Sequence, residues 1–263
     1  MFGPGAANAP GTSAATGTRP PILREVGFDQ NLNAQVPLDT QFYDEAGKQV
    51  RLKDYLATGK PVILALVYFQ CPALCSEVLS GLTSSLKALR FDAGKDFQVL
   101  AVSFDPNDTP ESASAKKANY VARYGRPGTE SGFHFLTGDP PSIRMLTDAV
   151  GFRYTWDAKS RQFAHVAGIV LLTPDGKVSR YFYGIEFAPR DLRLGLVEAS
   201  ANRIGNLTDQ VLLFCYHYDP STGKYTPLVL KMVRTGGVLT LLVLGTFIGM
   251  MVRREHRGKG RAA

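Results

Sequence analysis

An α/β layer fold with a mixed sheet and flanking helices is predicted by three observations. Two largely apolar runs, Pro61 to Tyr68 and Phe97 to Phe104, each lead into a helical pattern. Two β-branched runs, Val166 to Leu172 and Val178 to Phe182, flank Asp175-Gly176, a hairpin signal. Strand–helix alternation favours parallel pairing, and the terminal hairpin adds an antiparallel strand to the same sheet.

The elements follow in order. Residues 1–22 are rich in Gly, Ala, Pro and Thr and read as a flexible leader, with the globular pattern starting at Val36. Residues 1–35 are therefore expected as leader and 36–205 as the folded domain. Pro61 to Tyr68 suits a strand covered on both faces. Ser76 to Phe91 places Val78, Leu79, Leu82, Leu86 and Leu89 on one helical face. Phe97 to Phe104 is a second buried strand. Thr109 is an expected N-cap and Pro110 the first residue of a helix through Tyr124. A short strand at Phe133 to Leu136, a helix from Ser142 to Val150, the hairpin and a helix from Pro189 to Ile204 complete the domain.

The net charge is +7, but the last eleven residues hold Arg253, Arg254, Arg257, Lys259 and Arg261 against one acid, Glu255. The excess lies in a tail and forms no basic stripe interleaved with aromatics, so no nucleic-acid partner is expected. Gly236 to Val252 carries no charge over seventeen residues, the short end of a membrane span. A single transmembrane helix is expected at 236–252, after a juxtamembrane linker at 206–235. The greater positive charge after it makes 253–263 a cytoplasmic tail and puts the domain on the periplasmic side of the inner membrane. Met1 to Pro20 holds no apolar signal run.

Cys71 and Cys75 sit where the first strand turns into its helix, in Tyr68-Phe69-Gln70-Cys71-Pro72-Ala73-Leu74-Cys75. Pro72 suits a first helical position. Backbone N–H groups at a helix start favour thiolate. Four-residue spacing puts both sulfurs on one helix face, at a Cα separation of roughly 6 Å that a disulfide can bridge. The pair can hold a soft metal, cycle as dithiol and disulfide, or form a structural bridge. Structural zinc needs four ligands, and the chain has three cysteines. A third ligand is best sought among the four histidines. His256 lies in the tail, His217 near the anchor, and His134 inside a short apolar strand where a structural role is expected. His165 precedes the strand from Val166, in an expected loop Arg161-Gln162-Phe163-Ala164-His165. Spacing alone does not choose among them.

Cys71-Pro72-x-x-Cys75 after an apolar strand resembles the Sco/SenC family of copper-binding thioredoxin-like proteins. So do Asp105-Pro106-x-Asp108-Thr109-Pro110, Phe135-Leu136-Thr137-Gly138 and a single histidine before a late strand. The motifs stand in the family's order across about residues 36–205. The resemblance implies a thioredoxin-like fold, with Cys71, Cys75 and His165 binding one copper ion as Cu(I) or Cu(II). It also implies delivery of that copper to, or reduction of the cysteines of, the copper-centre subunit of cytochrome c oxidase. Two departures stand out. Ala73 and Ser76 replace an acid and a proline frequent in relatives, and the expected anchor is C-terminal where relatives usually have an N-terminal one.

The implied function is a membrane-tethered copper chaperone and thiol-redox assembly factor. Its expected partners are the oxidase copper-centre subunit or another membrane electron-transfer complex, the lipid bilayer, and a thiol reductant. An extracytoplasmic thiol–disulfide oxidoreductase shares the cysteines without needing His165. A resident structural subunit of a membrane electron-transfer complex is the third reading. Secondary candidates are Asp105 and Asp108, where turn and cap chemistry is the plainer expectation, and Cys215 with His217, a Cys-x-His pair among aromatics.

Overall fold

The computed structural model describes residues 25–56, 58–71 and 74–203, with 218–219, 224–225 and positions 240, 244, 246 and 250. The chain divides into two compact units, Pro20–Asn206 and a second made of Met1–Arg19 with Leu207–Ala263.

In the first unit, β1 (Gly27–Phe28) is followed by the hairpin β2 (Gln41–Tyr43) and β3 (Gln49–Arg51) and the single turn α1 (Lys53–Leu56). Next come β4 (Val62–Val67), α2 (Leu74–Lys87), β5 (Gln98–Ser103), α3 (Pro110–Tyr124), β6 (Phe133–Leu136) and α4 (Pro140–Ala149). The unit ends with β7 (Phe152–Arg153), β8 (Thr155–Asp157), β9 (Gln162–Ala164), β10 (Gly168–Leu172), β11 (Val178–Tyr183) and α5 (Pro189–Ser200).

The central sheet has the order β11-β10-β4-β5-β6. β4 pairs parallel with β5, and β5 with β6. β10 runs antiparallel to β4, and β11 antiparallel to β10. Every residue of β4, β5 and β10 is buried, as expected of strands covered on both faces. α2 packs beside α3 and α5, burying Val78, Leu79, Leu82 and Leu86 along its inner stripe. The mixed sheet, both buried strands and the helix sequence match the expectation from sequence.

Local chemistry sets the boundaries. Thr109 caps α3, with the Ser112 N–H donating to its Oγ1 at 3.3 Å and the Thr109 N–H donating to Ser112 Oγ at 3.1 Å. Gly125 ends that helix at φ +68°, a left-handed position that suits glycine. Asp139 caps α4 by accepting the Ser142 N–H at 2.8 Å, so this helix starts two residues before the expected Ser142.

Three features differ from the sequence expectation. The body begins before Val36: β1 pairs with β7, and Phe28 packs against Phe152 and Tyr181. Asn31 N–H also donates to the Tyr181 hydroxyl oxygen at 3.0 Å. One aromatic ring and a few hydrogen bonds hold this segment, too sparse a pattern to read as periodicity. The stretch before His165 is a hairpin, β8 paired with β9, where a loop was expected. The last helix stops at Ser200, four residues before Ile204.

In the second unit, Tyr218–Asp219 pairs antiparallel with Lys224–Tyr225. Thr240, Leu244, Thr246 and Met250 are helical and exposed. Among the described residues no helix is long and apolar enough to cross a membrane. The rest of the expected span at 236–252 lies outside the described residues, as does the tail at 253–263.

His134 on β6 has the structural role expected of it. Its Nε2 lies 3.1 Å from Gln98 Oε1, and its ring lies 4.4 Å from that of Tyr55. Burial, helped by the Lys117 charge, pushes its pKa down to about 4. The unfolded chain therefore takes up a proton below pH 6.5 that the fold does not accept until about pH 4. Stability should fall through that window by roughly 2–3 kcal/mol. Urea unfolding from pH 7 to 4 checks this: His134→Gln should flatten the decline, and an unchanged slope would contradict the assignment.

Candidate metal centre

β4 delivers the cysteines. Beyond Val67 the chain turns, with Cys71 N–H donating to Tyr68 O at 3.2 Å. Cys71 stands before the first described turn of α2 and Cys75 within it. The helix start between them, on which the expected shared helix face depends, lies outside the described residues. Cys75 N–H donates to Cys71 Sγ at 3.3 Å, so Cys71 satisfies a free donor near the helix start. Tyr68 N–H donates to Cys75 Sγ at 3.4 Å. Both cysteines are buried, and both are free thiols. Pro72 and Ala73 lie outside the described residues.

The end of β9 delivers the histidine. His165 Nδ1 lies 2.9 Å from Val166 O. A carbonyl only accepts, so Nδ1 carries the proton and the Nε2 lone pair is free. Nε2 faces Cys75 Sγ at 3.3 Å. The ring is walled by Phe104, Tyr68 and Phe152, with centroids at 5.2, 6.1 and 6.1 Å. Phe163 packs edge-on against Tyr68 and Phe104. One ligand atom each from Cys71, Cys75 and His165 lies within 4.8 Å of the others.

The two thiols titrate in opposite directions. Cys71 is pulled down by a hydrogen bond from Cys75, against burial, with further help from the Cys75 N–H. Cys75 is pushed up by the same bond and by its own burial. The reduced pair therefore shares one proton, with the negative charge on Cys71. Two sulfurs and an imidazole, with no carboxylate in the group, form a soft donor set suited to Cu(I) or zinc.

Asp108 braces this arrangement. Its Oδ2 accepts Phe69 N–H at 2.5 Å and Ser103 Oγ–H at 2.6 Å, tying the ends of β4 and β5 to the start of α3. Asp108 is buried and belongs to the turn, as the plainer expectation has it, its N–H donating to Asp105 O at 3.1 Å, while its carboxylate adds the brace. Thr109 makes the cap, and Asp105 makes the turn by accepting the Asn107 N–H at 2.9 Å. Asp105 is not in the ligand group. Cys215, His217 and His256 lie outside the described residues. Sequence reasoning missed the Tyr68 clamp and the aromatic wall, for which a Tyr-Phe pair closing an apolar run was the one visible signal.

The SCO1/SenC family model matches residues 29–193. The chain belongs to the SCO1/SenC family. The SCO1 protein homolog of Bacillus subtilis (strain 168) is 26% identical over 153 residues, covering 57% of this chain and 75% of that one. A crystal structure from Aquifex aeolicus VF5 shares 27% identity at a TM-score of 0.57, over 65% of this chain and 95% of that one. BsSco, described as having a disulfide switch and as a member of the Sco family of cytochrome c oxidase assembly proteins, matches in fold. Its TM-score is 0.51 and its identity 23%, over 65% of this chain and 97% of that one. In this SCO1/SenC chain the family match spans β4 to β11, and with them every element that carries a ligand.

Asp108 yields a test of the brace. Its Oδ1 is buried without a partner, and burial raises its carboxyl pKa. A raised acid pKa means that the folded state loses stability as pH rises through the titration. Asp108→Asn keeps an acceptor for Phe69 N–H and cannot ionise. Its stability relative to wild type should improve from pH 3 to pH 7, as read from urea midpoints. A gap that stays constant, or that moves the other way, would contradict a strained buried carboxylate.

Proposed function

We propose that this SCO1/SenC protein is a membrane-tethered copper chaperone and thiol-redox assembly factor. It binds one copper ion through Cys71, Cys75 and His165. It matures the copper centre of a respiratory oxidase, or of another membrane electron-transfer complex, on the extracytoplasmic side of the inner membrane. The observation that carries this reading is the convergence of two sulfurs and one free imidazole nitrogen within 4.8 Å. Support for the tether comes from the uncharged run Gly236 to Val252 with its basic flank, and from helical backbone at 240, 244, 246 and 250.

Copper here is cargo, and the chain's own groups prepare for it. The Cys71 thiolate is ready to donate. Cys75 must release its proton as the ion binds, so uptake is coupled to proton release. Nδ1–H held by Val166 O keeps Nε2 turned towards the sulfurs. The aromatic wall packs the half-buried ring in place. Passing two electrons and the Cys75 proton to a disulfide of the partner would close the Cys71–Cys75 disulfide and abolish both sulfur ligands, which links copper release to thiol redox state.

A thiol–disulfide oxidoreductase is the second reading. The Cys71 thiolate lying against the Cys75 thiol favours it, since thiolate is the exchanging species.

Anaerobic copper titration of the reduced full chain distinguishes the two. Near-stoichiometric uptake should be lost in His165→Ala and in Cys71→Ser or Cys75→Ser. Unchanged stoichiometry in those variants would refute the copper site. A Cys71–Cys75 reduction potential below about −300 mV would mark an inert bridge and remove the redox half of the proposal.

A further inference from the structure

The redox half of the proposed function requires electrons from outside, and the structure offers a place for their carrier. Between α2 and α3 lies a groove of about 480 Å³. Ser76 contributes from α2, and Ser112, Lys116, Asn119, Tyr120 and Arg123 contribute from α3. Among the described residues no carboxylate lines it. Lys116 Nζ donates to Ser76 Oγ at 3.3 Å, and Arg123 donates to Ser80 Oγ at 2.8 Å. The Arg123 guanidinium also stacks 5.7 Å from the Tyr120 ring. Hydroxyls and an aromatic face thus hold two cations that make no ion pair among the described residues, the buried Asp108 carboxylate acting on Lys116 only as a weaker charge. Unpaired cations in a concave polar groove attract anions.

The groove is next to the cysteines. Phe69 and Ser76, which border the pair on either side in sequence, both line it. Lys116 is hydrogen-bonded to the hydroxyl of Ser76, the residue that directly follows Cys75.

We infer that this groove is a subsite for the carboxylates of small anionic thiols that reduce the Cys71–Cys75 disulfide. The inference rests on the redox half of the proposed function and names the chemical class of its reductant. A bound thiolate attacks one sulfur of the disulfide. The S–S bond breaks, a mixed disulfide forms, and the other cysteine leaves as thiolate. A second thiolate attacks the small-molecule sulfur of the mixed disulfide and releases the second cysteine with one symmetric disulfide. Two electrons pass from two thiols to the pair, and the thiolates exchange protons with water.

The test compares mercaptosuccinate, a dicarboxylate thiol, with neutral 2-mercaptoethanol on the oxidised full chain. Rates are read at matched thiolate concentration. The wild type should favour the dicarboxylate by about five- to thirtyfold at low salt, less in high salt. Lys116→Gln with Arg123→Gln should bring the ratio to within about twofold of one. Lys87→Gln with Lys159→Gln removes the same charge from exposed positions elsewhere and should leave the ratio in place. A wild-type ratio near one, or equal loss in both double variants, would overturn the subsite, since net charge alone would then explain the preference. Failure of both thiols to reduce the pair in every variant would overturn the redox reading itself, and the subsite with it.

Discussion

The antiparallel pairing of β10 with β4 is the constraint on which the site depends. Its register sets Val170 opposite Leu64 and Leu172 opposite Val62. Followed back along β10, that register brings the chain before Gly168 to the carboxyl end of β4, where the cysteine turn lies. His165 is thereby set level with Phe69. A parallel β10 would leave the histidine at the opposite edge of the sheet. Neither strand can slip, because every residue of both is buried and a one-residue shift would invert their packing.

Around that register the chain restrains each ligand separately. The Tyr68 and Cys75 amides bond the two sulfurs, Val166 O fixes the imidazole tautomer, and Asp108 holds Phe69 from the far side. Each restraint comes from a different element, so the ligand set is defined by the tertiary fold and not by the motif alone. The hydrogen bond between the two sulfurs keeps the shared proton in the pair, and this joins metal binding to redox chemistry in one pair of atoms.

Much of this was legible in sequence because the elements are long and periodic. β4, β5 and α2 each present an unbroken pattern, and the Thr109-Pro110 start of α3 is written in two residues. Strands of two or three residues carry no period, so β1, the β2–β3 hairpin and the β8–β9 hairpin went unread. The third ligand was visible only through family resemblance: His165 lies 90 positions from Cys75, and no local spacing separates it from His134. The Asp108 brace was hidden because Asp-x-x-Asp-Thr-Pro reads equally as a turn and a cap. Its burial depends on β5 ending beside β4.

Copper-edge X-ray absorption on the copper-loaded full chain tests the central claim most directly, since it reports ligand type and oxidation state together. A site built from Cys71, Cys75 and His165 gives two sulfur scatterers and one imidazole nitrogen, and any residual copper that His165→Ala retains shows sulfur without that nitrogen. A first shell made only of nitrogen and oxygen, or one that His165→Ala leaves unchanged, would contradict it.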